Sequence, residues 1–243
     1  MAETIIGRNA VLEALKGNRE IEKITLAKGA EGSVKQIAAK ARDKHIPIYY
    51  SDKARMDKAA SGGAHQGVIA VVSDYKYCTV DDILARAAQR GEDPFIIILD
   101  GLEDPHNLGA IMRTAECAGV HGIVIPKRRS VSVTETVAKT SAGAVEYMLC
   151  AKVTNIANEI EKLKEKGVWI GACDMGPDLY YRQDLKGPIA IVIGAEGAGI
   201  SRLVKEKCDF VVSIPMKGSI TSLNASNAAS ILMYEVVRQR MDI

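Results

Sequence analysis

The spacing of apolar and polar positions along this chain predicts two successive α/β modules. Val11, Leu12 and Leu15 recur at helical spacing within residues 7–16, and Ile24 and Leu26 alternate with polar neighbours in a strand over 22–28. A helix over 33–45 follows, with Val34, Ile37, Ala38 and Ala41 on one face, then a strand over 46–50 and a short helix near 53–60. Gly62-Gly63 breaks that helix, and Val68–Val72 reads as a buried strand that closes the module.

Residues 74–94 are mixed, with a small helix over 80–89 that links or caps. From Phe95 onward, fully apolar runs alternate with amphipathic ones. Strands are predicted over 95–99, 122–125, 168–172, 189–193 and 210–214, and helices over 108–118, 155–166, 201–207 and 224–240. Continuous apolar strands between helices imply a parallel sheet covered on both faces. The expected organisation is therefore a small domain over 1–74, a linking segment over 75–94, and a larger α/β domain over 95–243.

Composition narrows the function classes. At 243 residues and 47% hydrophobic, the chain has no uninterrupted apolar run of the roughly 18 residues that a spanning helix needs. The first residues lack a basic stretch leading into an apolar one, which points to the cytoplasm and away from the membrane. Five cysteines, dispersed and without a CxxC pair or a Cys/His cluster, predict neither a metal site nor a disulfide framework. A net charge of +2 does not announce a nucleic-acid binder, so the distribution of charge matters more. Lys127-Arg128-Arg129 is a compact basic run, and residues 35–58 carry seven Lys or Arg against three Asp. With only two Phe, a base-stacking platform is poorly supported.

Polar and glycine residues gather after three of the predicted strands, where open α/β sheets bind ligands. In the first, Asp100 to Ala115, Pro105 and Asn107 make a sharp strand-to-helix turn and Arg113 follows about 1.7 turns later. Asn107 suits an N-cap and Arg113 a solvated helix face, so those bland readings stand beside the functional one. In the second, Gly194-Ala195-Glu196-Gly197-Ala198-Gly199 has the spacing G-x-x-G-x-G, not the dinucleotide G-x-G-x-x-G, and no Gly-Lys-Ser/Thr exists for a triphosphate loop. A carboxylate between glycines at a strand end is an odd place for a merely solvated charge. In the third, Ile214 to Ala229, a dense polar loop enters a helix of small residues, and either Ser222 or Asn224 serves as its N-cap.

Together these segments resemble the three motifs of the SpoU/TrmH branch of the SPOUT RNA methyltransferases: D-P-H-N-L-G-A-I-x-R-T-A, I-G-A-E-G-x-G and I-P-M-x-G-x-x-x-S-L-N-x-S. Lys139-Thr140-Ser141-Ala142-Gly143-Ala144 fits between the first two. Gly7-Arg8-Asn9-Ala10-Val11-Leu12-Glu13-Ala14-Leu15 and His65-Gln66-Gly67-Val68 are similar to the amino-terminal substrate-binding domain of bacterial enzymes that methylate a guanosine ribose in 23S ribosomal RNA. The resemblance covers nearly the whole chain.

It implies a small ribosomal-protein-like RNA-binding domain followed by a parallel-sheet SPOUT domain with a deep trefoil knot. The implied reaction is methyl transfer from S-adenosylmethionine to a ribose 2′-hydroxyl. The implied cofactor pocket involves Gly194, Ala195, Gly197, Ile214, Met216 and Leu223. Arg113 would activate the hydroxyl, with Asn107, Glu196, Ser222 and Asn224 positioning it, the ribose and the loops. Lys127, Arg128 and Arg129 are expected RNA contacts, no metal is expected, and a homodimer would complete each site. A guanidinium titrates above about 12 and is a poor base, so an RNA phosphate competes with Arg113 as the proton's destination. Transfer RNA remains the alternative substrate. A non-catalytic RNA-binding relative would have lost Arg113 or Glu196, and both are present.

Overall fold

The computed structural model describes residues 2–17, 19–60 and 62–241. They form two compact units, each with its own sheet.

The first unit comprises the residues up to Lys76 together with Val133–Tyr147. Strands β1 (Ala2–Ile6), β2 (Ile21–Ala27), β3 (Ile48–Ser51) and β4 (Val68–Ser73) pair in the order β1-β4-β2-β3. β4 runs antiparallel to both neighbours, and β3 parallels β2. Helices α1 (Arg8–Lys16), α2 (Ser33–Asp43) and α3 (Lys53–Ala59) stand where the periodicity placed them. The burial of Val34, Ile37, Ala38 and Ala41 on α2 matches the predicted apolar face.

The apolar pattern contained no sign that Val133–Tyr147 would cluster with this unit. It forms α6 (Glu135–Thr140) and a 3-10 turn at Ala144–Glu146. Two polar ties hold it. Arg19 Nη1 donates to Glu146 Oε1 at 3.2 Å while the same guanidinium grips Glu3, and Tyr147 Oη donates to Glu13 Oε2 at 2.6 Å. Gly143, at φ +92°, lets the backbone pass the Glu13 side chain where a Cβ would lie 2.4 Å from it. The Lys139–Ala144 motif thus lies in the first unit, whereas the linear reading put it in the second domain.

The second unit, Tyr77–Ser132 with Met148 onward, is built on six parallel strands. They are β5 (Phe95–Asp100), β6 (Gly122–Pro126), β7 (Cys150–Val153), β8 (Trp169–Cys173), β9 (Ile189–Gly194) and β10 (Phe210–Val212), ordered β10-β8-β9-β5-β6-β7. From β5 the chain runs outward through β6 and β7, then returns to the other side of β5. The β5/β9 boundary is therefore the switch point, where ligands of open α/β sheets bind. Burial of the first five residues of β5, Phe95–Leu99, each contributing about 1.5–3 kcal/mol, explains the continuous apolar run.

Helices α4 (Val80–Arg90), α5 (Pro105–Cys117), α7 (Ile156–Glu165), α8 (Arg202–Lys207) and α9 (Ala225–Arg240) complete this unit, with α5 packed on α9. α5 begins three residues before its apolar stripe, because Asp104 caps it and Pro105 occupies its first turn. β7 escaped prediction: at four residues it is too short for its period to stand out.

A buried histidine ties the start of β5 to the loop that precedes it. His121 is fully enclosed; its Nδ1 accepts the Phe95 N–H at 3.0 Å, which leaves the proton on Nε2 to be donated to Glu92 Oε2 at 3.0 Å. Desolvation lowers its pKa, against a smaller opposing pull from Glu92. A depressed histidine pKa means that the unfolded chain binds the extra proton first. Stability from His121 is therefore full above the unfolded value of about 6.5 and is lost as pH falls through the folded one. His121→Ala is expected to lower stability by about 2–4 kcal/mol through the cavity and the stranded Phe95 N–H, and to flatten the fall of melting temperature between pH 7 and 5. Thermal melts across that range check both.

Candidate active site

Register sets the site. Asp100 at the end of β5 lies beside Gly194 at the end of β9, so the loops that follow both strands emerge side by side. Asp100 Oδ2 then accepts the Ser201 N–H at 2.7 Å, pinning the far end of the glycine loop to β5.

That loop is a tight reversal. Ala195 N–H donates to Gly199 O at 3.1 Å and Gly199 N–H returns a bond to Ala195 O at 2.9 Å. Gly197 and Gly199 adopt left-handed conformations, at φ +77° and +68°. The glycine at 194 has a different cause: a Cβ there would lie 2.2 Å from the Gly199 carbonyl carbon.

Asp104, not Asn107, is the N-cap of α5, accepting the His106 N–H at 2.9 Å. Asn107 is thereby free for another partner and is buried, at 4% exposure. It donates from Nδ2 to Glu196 Oε1 at 2.9 Å. Asn224, the N-cap of α9, accepts from Ser226 N–H and Ser226 Oγ through Oδ1, at 2.9 and 2.6 Å. With its oxygen committed to the helix, its amide must face outward. It donates to Glu196 Oε1 at 2.7 Å and to Asn107 Oδ1 at 3.0 Å. Three residues from three distant segments close one ring. An N-cap is worth about 1 kcal/mol, and here the same side chain also orients the carboxylate. Glu196 Oε2 has no partner among the described residues.

The ring stands at the edge of a cavity of about 570 Å³ between the ends of β8, β9 and β10 and the start of α9. Gly194, Ala195, Glu196, Gly197, Ile214, Met216, Ser222, Leu223 and Asn224 all line it, so nearly all the residues singled out in the second and third loops meet there. Met175, Thr221 and Ala228 also line it and were not anticipated; Met175 follows β8, whose C-terminal end the same edge rule would have marked. The size falls in the range of about 300–1,000 Å³ typical of small-molecule sites. Its walls are glycine-loop backbone and apolar Ile214, Met216 and Leu223, with two carboxylates, Glu196 and the Asp174 that pairs with Lys205 at 2.6 Å. Such a lining fits a ligand that pairs a flat apolar ring with a cationic or amine group.

Arg113 is not among the cavity-lining residues. It is exposed on α5 with no partner among the described residues, while its neighbour Thr114 turns inward to meet Ser230 Oγ at 3.2 Å. Lys127 and Arg128 are exposed in the loop after β6, and Arg129 reaches a separate cavity treated below. Among the described residues no His/Cys/Asp/Glu group is arranged to hold a metal ion, and no helix is long and apolar enough to cross a membrane.

Comparison with known proteins agrees with this geometry. Residues 94–234 match the SpoU rRNA Methylase family, and residues 4–78 match the RNA 2′-O ribose methyltransferase substrate-binding domain. YacO of Bacillus subtilis, named as a TrmH family tRNA/rRNA methyltransferase, is 49% identical over 242 residues, covering 97% of this chain and 95% of its own. A protein of Staphylococcus saprophyticus named in the same way is 47% identical over 238 residues, covering 97% and 95%. Among solved structures, the SpoU methyltransferase AviRb from Streptomyces viridochromogenes, in complex with AdoMet, superposes with a TM-score of 0.84 at 23% identity, over 100% of this chain and 92% of that one, which establishes a shared fold. The chain belongs to the SpoU rRNA methylase family, with an RNA 2′-O-ribose methyltransferase substrate-binding domain ahead of its methylase domain.

Proposed function

We propose that this protein transfers the methyl group of S-adenosylmethionine to the ribose 2′-hydroxyl of a guanosine in 23S ribosomal RNA. The observation that carries the methyl-transfer reading is the Asn107–Glu196–Asn224 ring at the edge of the 570 Å³ cavity. Family membership supports RNA as the substrate. The narrower choice of ribosomal over transfer RNA rests on the substrate-binding match in residues 4–78 and on the sequence resemblance.

In this reading the cofactor lies against the backbone of Gly194, Ala195 and Gly197 and the side chains of Ile214, Met216 and Leu223. Bound there, it supplies an electrophilic methyl on a sulfonium. Glu196, fixed by two amides, faces that positive charge or the ribose with its free oxygen. Ser222 and Asn224 hold the third loop in place. A carbon–oxygen bond forms as the carbon–sulfur bond breaks, and the hydroxyl proton leaves to an acceptor. Arg113 cannot be that acceptor while it stays protonated, so its role is to hold the RNA phosphate that takes the proton. Holding the two reactants in line supplies several kcal/mol of the barrier reduction.

Because Arg113 lies outside the cavity of its own chain, the same reading has two protomers share the work, each lending Arg113 to its partner's cavity. Lys127, Arg128 and the first unit would carry RNA by phosphate contacts, with affinity that falls as salt rises. A trefoil knot in the chain after β10 and a cytoplasmic location belong to this proposal as well.

The test is direct. Purified protein should bind S-adenosylmethionine in calorimetry and pass its labelled methyl to ribosomal RNA from a strain lacking the gene. Mapping ribose methylation across total RNA from strains with and without the gene locates the target. A lost methyl on transfer RNA, with ribosomal RNA unchanged, would sink the ribosomal assignment and leave the methyl-transfer reading intact.

A further inference from the structure

The glycine loop has two sides. One walls the cavity given above to the cofactor. The other walls a second cavity of about 520 Å³, and Ala195, Glu196, Ala198 and Gly199 line both. Asn107 also lines the second, so the Asn107–Glu196 bond sits in the partition between them.

The outer rim of this second cavity carries two unengaged charges. Glu103 comes from the loop between β5 and α5, and Arg129 from the loop after β6. Both are exposed, and neither has a hydrogen-bond or ion-pair partner among the described residues, including each other. Of the other carboxylates lining the cavity, Asp100 accepts the Ser201 N–H at 2.7 Å, Asp104 accepts the His106 N–H at 2.9 Å, and Glu196 is held through Oε1 by Asn107 and Asn224 with Oε2 left open among the described residues. A void lined by an unpaired guanidinium from one loop and a wholly unpaired carboxylate from another suits a ligand with an anionic end and a donor-bearing end.

We propose that this second cavity receives the acceptor nucleotide, with Arg129 on a phosphate and Glu103 on the base edge. The proposal rests on the methyl-transfer reading above. Size permits it, since a nucleotide fits well within about 300–1,000 Å³. Position bears on it too: Glu196 lines both cavities, so a nucleotide seated in the second with its ribose at the Glu196 edge of the glycine loop brings its hydroxyl to the donor there, as in-line attack requires. Arginine matches a phosphate with two parallel N–H bonds. A carboxylate presents only acceptors, so it selects a base with adjacent donors. Guanine offers N1–H and N2–H side by side, whereas adenine and cytosine offer one exocyclic amine each. Glu103 is thus the residue that makes the enzyme prefer guanosine.

The experiment uses the full-length protein with S-adenosylhomocysteine in the first cavity, and guanosine and adenosine 5′-monophosphates as probes. Guanosine monophosphate should shift amide resonances around Glu103 and Arg129, and bind more tightly than the adenosine compound. Glu103→Gln should erase that preference, and Arg129→Ala should weaken both nucleotides about tenfold, the scale of one charge-assisted contact. With ribosomal RNA as substrate, both variants should raise KM about tenfold, the loss falling on KM more than on kcat. An active wild-type enzyme whose two variants keep its KM overturns the proposal. If the wild-type protein methylates no RNA, the functional reading fails instead. The pocket then stands or falls on whether guanosine monophosphate shifts those same resonances.

Discussion

Replacing Arg113 with alanine is expected to abolish methyl transfer, by about 10³-fold or more, while leaving cofactor affinity within a factor of two. The first half follows from charge. The ribose hydroxyl must surrender a proton beside an anionic backbone, and a guanidinium fork holds a phosphate in one orientation as an ammonium does not. The second half follows from role, because Arg113 is assigned to an RNA phosphate and the residues assigned to the cofactor are the glycine loop, Ile214, Met216 and Leu223. Its exposed side chain has no partner among the described residues, so the folded state should lose less than about 0.5 kcal/mol. Single-turnover methylation and calorimetry on the same preparation separate the two. Near-wild-type turnover in Arg113→Ala would end its role. A mixed dimer asks whether the arginine serves its own chain. Co-expressing Arg113→Ala with Gly194→Ala makes about half the dimers mixed, each with one intact site if the sites are shared across a twofold interface, so roughly a quarter of wild-type activity should return. No recovery would place Arg113 in the site of its own chain.

What could be read from the residues alone divides along physical lines. Long, fully buried elements announce themselves: Phe95–Leu99 and Ile189–Ile193 are apolar throughout because parallel strands are covered on both faces. β7 did not, having four residues at a sheet edge and a lysine among them. Caps were harder. Asn107 and Asp104 are both good N-cap residues three apart, and only the placement of Pro105 in the first turn settles the choice. That choice mattered, since it released Asn107 for Glu196. Residues of the second and third loops were legible as a group because strand ends converge at a switch point. The pairing of Val133–Tyr147 with the first unit was not, because long-range packing of a short helix leaves no period to read. Glu103 gave no signal either: a carboxylate near a helix start is ordinary, and its interest comes only from a cavity that folding creates.

The glycine at 194 makes the sharpest steric prediction. An added methyl would meet three backbone atoms, the Gly199 carbon at 2.2 Å, the Ile200 nitrogen at 2.4 Å and the Gly199 oxygen at 2.5 Å. None is the end of a flexible side chain, so the loop itself must move. Movement there breaks the paired Ala195–Gly199 bonds and draws Glu196 away from Asn107 and Asn224. Gly194→Ala is expected to cost about 2–4 kcal/mol of stability and at least about 100-fold in cofactor affinity, roughly 2.7 kcal/mol. Gly197→Ala is the control. Its φ of +77° penalises any side chain, but nothing lies within 4 Å of the new Cβ, so the expected cost is only about 1 kcal/mol with a proportionally smaller loss of affinity. Calorimetric titration of S-adenosylmethionine into both variants reads the contrast. Equal losses would mean that loop conformation matters more than the space beneath it. Wild-type affinity in Gly194→Ala would mean that this loop is not the wall of the cofactor site, since no binding mode that uses its backbone survives a displacement of that size.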